Sequence, residues 1–316
     1  KGTNSQIGVK TLAYISGFIP KTYKPKVIAV TGIIGLVFLM LLLMVFMKLG
    51  AKVKDDGKEK KAKQMEKEKL KQEEEAKFAA IEKEMVLIPA GKFKMGSPAS
   101  EKGRRIDETQ HEVTLTKPFY MGKYEVTQEQ WEAVMGKNPS YSKNVKNPVT
   151  GVSWDDCQEF IKKLNAKMDG GYRLPTEAEW EYGCRGGSKE SLAFWWGNDL
   201  EQGEGRLNIS AIDFLPGRKK TWPLAKAPWS DGFPFVSPVD QYGEKGRNGF
   251  GLADMCGGVW EFVIDHFDPK GGHEDIYYEN PEKRTVSRPV CRGGNYFDVP
   301  GNARCAVRLG IAGVTY

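Results

Sequence analysis

Five cysteines, at positions 157, 184, 256, 291 and 305, are the residues with the most chemistry to offer. Thiolates act as nucleophiles, redox partners and soft metal ligands. The number is odd, so at least one cysteine is unpaired or pairs between chains. Cys157 falls on one face of a helical pattern with Trp154, Phe160, Ile161 and Leu164, which predicts burial. The histidines are His111, His266 and His273. His111 precedes a strand and the other two sit in an acidic, Gly-containing stretch, so each reads as a surface or strand residue. Asp254 and Glu261 flank the turn in ADMCGGVWEF. Carboxylates beside a turn that exposes carbonyls are hard donors of the kind Ca²⁺ takes. The same pair also reads more simply, Asp254 as a turn residue and Glu261 as an exposed strand acid.

These side chains need short elements and long loops to hold them. Strands are predicted at Met85–Ile88, Lys92–Met95, Glu112–Leu115 and Tyr120–Val126, each bounded by Gly or Pro. Three capping boxes open helices: Thr127 with Gln130, Ser153 with Asp156, and Thr176 with Glu179. Beyond Gly186 the chain is loop-rich, a texture that calls for a metal or a disulfide to hold it. Trp195, Trp196, Trp222 and Trp229 lie in a long insert at 188–236. That insert reads either as a partner-binding surface or as a lid packed on its own domain.

The formal net charge of +6 over 316 residues invites a nucleic-acid reading, but its distribution does not support one. Residues 1–26 carry five lysines and no acid, while residues 85–316 carry 30 basic and 31 acidic side chains. The folded part therefore lacks a basic footprint, and no nucleic-acid partner is expected. Val27 to Met47 is a run of 21 uncharged residues. As a helix it measures about 31 Å, enough to cross a ~30 Å hydrocarbon core. The basic tail 1–26 predicts a cytoplasmic N-terminus, a transmembrane helix at 27–48, and everything after it outside the cytoplasm. Residues 49–84 are rich in strong helix formers and opposite-charge pairs such as Glu59–Lys63, without a heptad. They read as a charged stalk that lifts a domain, 85–316, off the bilayer, or as a partly disordered linker.

Six ordered segments of that domain resemble the formylglycine-generating enzyme (sulfatase-modifying factor) family. They are MVLIPAGKFKMGS at 85–97, FYMGKYEVTQEQW at 119–131, NPVTGVSWDDC at 147–157, YRLPTEAEWEYGCRGG at 172–187, GFGLADMCGGVWEF at 249–262, and CRGGNYF with ARCAVR at 291–308. The resemblance implies an α+β, loop-rich domain of modified C-type-lectin-like fold. It also implies a site for oxidising a substrate cysteine with oxygen, using a copper(I)-binding cysteine pair just after the Gly293-Gly294 motif. Here Asn295 stands in that motif, Asp298 at the first cysteine position, and Val299 to Ala303 holds no cysteine. The old pocket would keep only Asn295, Asp298 and Arg304, and no copper is expected there. No His-x3-His pattern with a carboxylate is present, so the iron chemistry of related sulfoxide synthases is not expected either.

The resemblance further implies two structural Ca²⁺ sites. One uses Asn208, Ile209, Asp231 and Phe233; the other uses Asp254, Gly257, Val259 and Glu261. It implies a disulfide between Cys184 and Cys305, which suits an oxidising compartment. Cys256 and Cys291 replace residues that are not cysteine in the family. The family's closing Gly-Phe-Arg strand is not found before Tyr316. Three readings follow. The first is a non-catalytic, single-pass scaffold or accessory subunit of a membrane complex, displayed on the periplasmic side of a bacterial-type inner membrane, with the bilayer and integral membrane subunits as partners. The second is a divergent oxidase or maturation enzyme for an exported protein. The third is a calcium-dependent, lectin-like binding module.

Overall fold

The computed structural model describes residues 25–209, 227–267 and 288–311. Trp222 and His273 lie outside the described residues. The chain divides into two units, Lys1–Lys71 and Gln72–Tyr316. Helix α1 spans Pro25–Lys83, 59 residues without a Pro beyond its first position. An 18-residue window within it has a mean hydropathy of 2.2 and no burial. The helix is thus long and apolar enough to cross a membrane, and a signal sequence near an N-terminus has the same character. Lys63 and Glu59 pair on its surface at 2.6 Å, an i,i+4 bond of a few tenths of a kcal/mol at most.

The second unit begins earlier than the texture change at Glu84 suggested. Phe78 is buried in a cluster with Trp131, Val134, Phe160 and Leu164, and Ile81 packs beside them. The last turns of α1 therefore pack into the second unit. Within the domain, β1 (Met85–Ile88) pairs antiparallel with β4 (Phe119–Gly122), and β2 (Gly91–Met95) with β3 (His111–Leu115). A third sheet runs in the order β5 (Glu261–Phe267), β6 (Arg288–Arg292), β7 (Arg308–Gly310), all antiparallel. Helices α2 (Gln128–Met135), α3 (Trp154–Lys167) and α4 (Glu177–Arg185) each start on the expected capping box, with both reciprocal bonds made. Strand β4 stops at Gly122 rather than Val126. Lys123 N–H instead donates to the Glu84 carbonyl, and Glu125 turns into the interior.

Helix α4 is the centre of the larger core. Trp180 is 1% exposed, and beside it lies a buried ion network. Glu181 bonds Arg185 and Arg292, while Glu177 bonds Arg292 and Arg308. Burial alone would raise the Glu181 carboxyl, but the Arg185 and Arg292 charges outweigh it and hold the group below the usual carboxylate range. Arg292 also donates to the carbonyls of Cys305 and Ala306. One side chain on β6 thus connects α4 to the segment leading into β7.

Truncating one partner of a buried pair strands the other charge. Arg292→Ala is expected to cost about 3–5 kcal/mol, read as a lower midpoint in chemical denaturation. Thr127→Ala, which removes one cap from α2, should cost about 1 kcal/mol in the same assay.

Candidate functional site

The turn at Gly257–Gly258 holds the candidate site residues together. Gly257 (φ 87°) and Gly258 (φ 68°) are both in the left-handed region. A Cβ on Gly257 would lie 2.2 Å from the Asn208 carbonyl oxygen, and one on Gly258 would lie 2.6 Å from Glu125 Oε1. Only glycine fits at either place. Gly257 N–H donates to the Gly293 carbonyl, Gly258 N–H to the Asn208 carbonyl, and Tyr296 N–H to the Gly258 carbonyl. Asn208, the 254–261 turn and the 293–296 turn are therefore fixed to one another by backbone bonds.

Asn208, Ile209, Asp231 and Phe233 do come together. Asp231 Oδ2 accepts from Asn208 Nδ2 and from Ile209 N–H, each at 2.9 Å, and Asp231 Oδ1 accepts from Phe233 N–H at 2.9 Å. Asn208 Oδ1 accepts from Ser237 N–H at 3.1 Å. The side-chain oxygens of Asp231 and Asn208 already face protein donors.

The second set is different. Asp254 has φ 58° and accepts one bond, from Asp240 N–H at 2.6 Å. Glu125, which the sequence reading missed, lies beside it and is 8% exposed. Neither of its carboxylate oxygens has a hydrogen-bond partner. Burial, then the Asp254 and Glu261 charges, push its carboxyl far above the usual range. Burial likewise pushes Asp254 up to about 6 and Glu261 up to about 7. These three acids offer hard oxygen donors of the kind Ca²⁺ takes, and burial disfavours their ionised form. Glu125 shows only as KYEVT in the sequence; a buried acid in a strand-like run was the signal available.

The residues of the expected oxidative pocket form a closed turn. Asp298 Oδ2 accepts from Asn295 N–H, Asp298 Oδ1 from Asn302 Nδ2, and Asn295 Oδ1 from Phe297 N–H. Burial raises the Asp298 carboxyl. Arg304 is engaged by other partners. Its guanidinium bonds Glu108 and Glu101 and the Gly103 carbonyl, at 3% residue exposure, because those buried acids demand a cation. The cavity next to Asn295 has a volume of about 470 Å³ and is lined largely by Tyr141, Phe235, Trp260, Tyr296 and Phe297. Tyr141 is 101% exposed and Phe235 50%. The 136–152 loop that brings Tyr141 is tied down by buried Gln128, which donates to the Ser142 and Pro148 carbonyls and accepts from Asn138 and Asn144.

Cys184 and Cys305 are buried with their sulfurs 3.2 Å apart, and Cys256 Sγ stands 4.0 Å from Cys184 Sγ. Hydrogen bonds from Cys184 and Cys256 hold the Cys305 thiol well below its usual range, while burial pushes Cys184 and Cys256 up. Cys157 is half-buried and burial pushes it up to about 12; Cys291 is buried and also raised. His111 is exposed on β3, its Nδ1–H donating to the Thr109 carbonyl, and His266 is buried on β5 against Trp154. They do not converge. In the insert, Trp229 is buried and Trp195 and Trp196 pack on the core, so its described part covers the domain rather than presenting tryptophans outward.

A family described as "Sulfatase-modifying factor enzyme 1-like domain" matches residues 70–314. Among curated relatives, mouse "Formylglycine-generating enzyme" is 32% identical over 188 residues, 59% of this chain and 44% of that one. The chain thus spans less than half of that relative. "Chaperone protein LppX" of Paenibacillus barcinonensis is 30% identical over 263 residues, 68% of this chain and 79% of that one. Mouse "Inactive C-alpha-formylglycine-generating enzyme 2" is 32% identical over 141 residues, covering 45% and 39%. The solved structure of PvdO from Pseudomonas aeruginosa has a TM-score of 0.57 at 27% identity, covering 73% of this chain and 89% of that one. Treponema denticola variable protein 1, at 23% identity with a TM-score of 0.55, shares the fold. The chain belongs to the formylglycine-generating enzyme (sulfatase-modifying factor) family, which includes members named as inactive.

Proposed function

We propose that this chain is a non-catalytic, membrane-anchored member of its family, an accessory subunit held outside the cytoplasm of a bacterial-type inner membrane. The observation that carries the reading is the Asn295–Asp298 turn. Where the family's thiols are expected, both side chains close a hydrogen-bonded turn, and Arg304 is engaged by Glu101 and Glu108. No thiolate is left there to hold copper(I) or to exchange with a substrate cysteine. The apolar helix supports an anchor, and the five lysines of residues 1–26 support a cytoplasmic N-terminus. The neighbouring cavity, floored by the Tyr296 turn and walled by exposed Tyr141, Phe235 and Phe297, offers the aromatic contact area that protein partners use.

Calcium has a structural part in this proposal. The uncompensated oxygens of Glu125, with Asp254, Glu261 and the Gly257 and Val259 carbonyls, fit a hard divalent ion. A bound cation there would offset the charge these acids take on as they ionise, and it would fix the turn to which the Asn208 and Asn295 segments are bonded. The Asn208 set would serve a second ion after Asn208 turned its amide oxygen inward.

Two outcomes test these statements. Purified from native membranes after cross-linking, the full chain should carry stoichiometric partner subunits. A Tyr141→Ala/Phe297→Ala double variant should lose at least ten-fold of them with an unchanged melting temperature. Oxygen-dependent conversion of a cysteine peptide by the purified chain would instead establish an enzyme. For calcium, the sign follows from carboxyls raised by folding. In chelator, the stability they contribute is complete below about pH 4 and is lost as pH rises through about 6 and 7 for Asp254 and Glu261. The melting temperature in EDTA should therefore fall from pH 5 to pH 8, and Ca²⁺ should restore it at pH 8 but hardly at pH 5. Glu125→Gln should weaken that restoration.

A further inference from the structure

Three buried sulfurs meet in a part of the core that the proposed function does not use. Cys184 comes from the last turn of α4, Cys256 from the 254–261 turn, and Cys305 from the segment between the Pro300–Ala303 turn and β7. Their Sγ atoms all lie within 4.8 Å of one another. The three residues are 0%, 1% and 0% exposed, so bulk water does not reach them. Among the described residues, no histidine nitrogen or carboxylate oxygen joins the group. The Met255 carbonyl lies 3.6 Å from Cys184 Sγ, and the Arg185 charge bears on both Cys184 and Cys305. Two cysteines alone would make a bridge. The third, Cys256, gives the cluster a different chemistry.

We propose that Cys184, Cys256 and Cys305 form an all-sulfur site for one soft monovalent metal ion of the copper(I) class. A metal–sulfur distance of about 2.3 Å sets three sulfurs about 4 Å apart around one ion. The Cys184–Cys256 separation is already 4.0 Å, and the Cys184–Cys305 separation of 3.2 Å has to widen by less than 1 Å. A zinc ion would need a fourth ligand, and among the described residues no fourth cysteine, histidine or carboxylate joins the three sulfurs. Soft thiolates favour copper(I) over hard ions. Binding is a ligand exchange: sulfur protons leave, the ion takes their place, and no electron moves. The Arg185 guanidinium offsets the negative charge of the thiolates. Since no sulfur is exposed, the ion enters as the chain folds. The site is separate from the family's cysteine pair, whose expected position after Gly294 holds no thiol. It is also incompatible with a Cys184–Cys305 bridge, because bridged sulfurs are not thiolates.

The test uses the full chain in detergent, expressed with added copper and purified anaerobically with a non-thiol reductant. Metal content by mass spectrometry should give one copper per chain, released to a copper(I) chelator only on unfolding. Cys256→Ala should reduce it at least ten-fold, while a Cys157→Ala/Cys291→Ala double variant keeps it. X-ray absorption on the wild-type chain should show a sulfur-only shell, which keeps the proposal testable if Cys256→Ala does not fold. Stoichiometric zinc in place of copper, copper retained by Cys256→Ala, a shell of oxygen or nitrogen, or a metal-free chain with Cys184 and Cys305 bridged by peptide mapping would overturn it.

Discussion

The constraint on which this domain depends is a pair of residues with no side chain. At Gly257 and Gly258 the backbone passes so close to the Asn208 carbonyl and to Glu125 that a single methyl group would collide with either. In return, three backbone hydrogen bonds tie together segments some fifty residues apart in sequence on one side and about forty on the other. In a domain with only short strands, such bonds replace the ladder of a large sheet. Everything offered as a site lies within one step of that turn: Glu125 beneath it, Asp254 and Glu261 at its ends, the Asn295 loop above it, and Cys256 facing the core.

Polar and apolar chemistry are layered around it. On one side, Glu177 and Glu181 on α4 are matched by Arg185, Arg292 and Arg308, so the buried charges are paired and bonded. Such a network is a weak source of net stability, but it is costly to break. On the other side, Glu125, Asp254 and Glu261 have no arginine among them, and burial raises all three. The contrast between acids paired with arginine and acids without it separates the scaffold from the proposed calcium site. Arg304 belongs to the paired class: Glu101 and Glu108 claim it, and the loop at 97–109 is clamped as a result.

Much of the fold was legible residue by residue. The capping boxes at Thr127, Ser153 and Thr176 specified helix starts because the side chain that begins each helix bonds its own backbone three residues on. Strands β1 to β3 matched within a residue, since Gly and Pro bounded them locally. The end of β4 did not, because a buried glutamate that turns inward looks, in sequence, like any polar position of an alternating strand. Phe78 was hidden in the same way: within a charged helix its apolar contact is made with Trp131 and Phe160, more than fifty residues further on.

The sequence by itself determined what is local or compositional: an apolar run long enough to cross a bilayer, the confinement of excess charge to its tail, the helix starts, and the absence of cysteine between Gly293 and Arg304. Those depend on neighbours a few residues apart. Only the tertiary structure decided which acids lack a cation, that Arg304 answers to Glu108 rather than to Asn295, and that Cys256 joins Cys184 and Cys305. Each of these rests on segments brought together from 70 or more residues away. Charge balance and ligand sets are properties of such neighbourhoods in space, and no spacing along the chain encodes them.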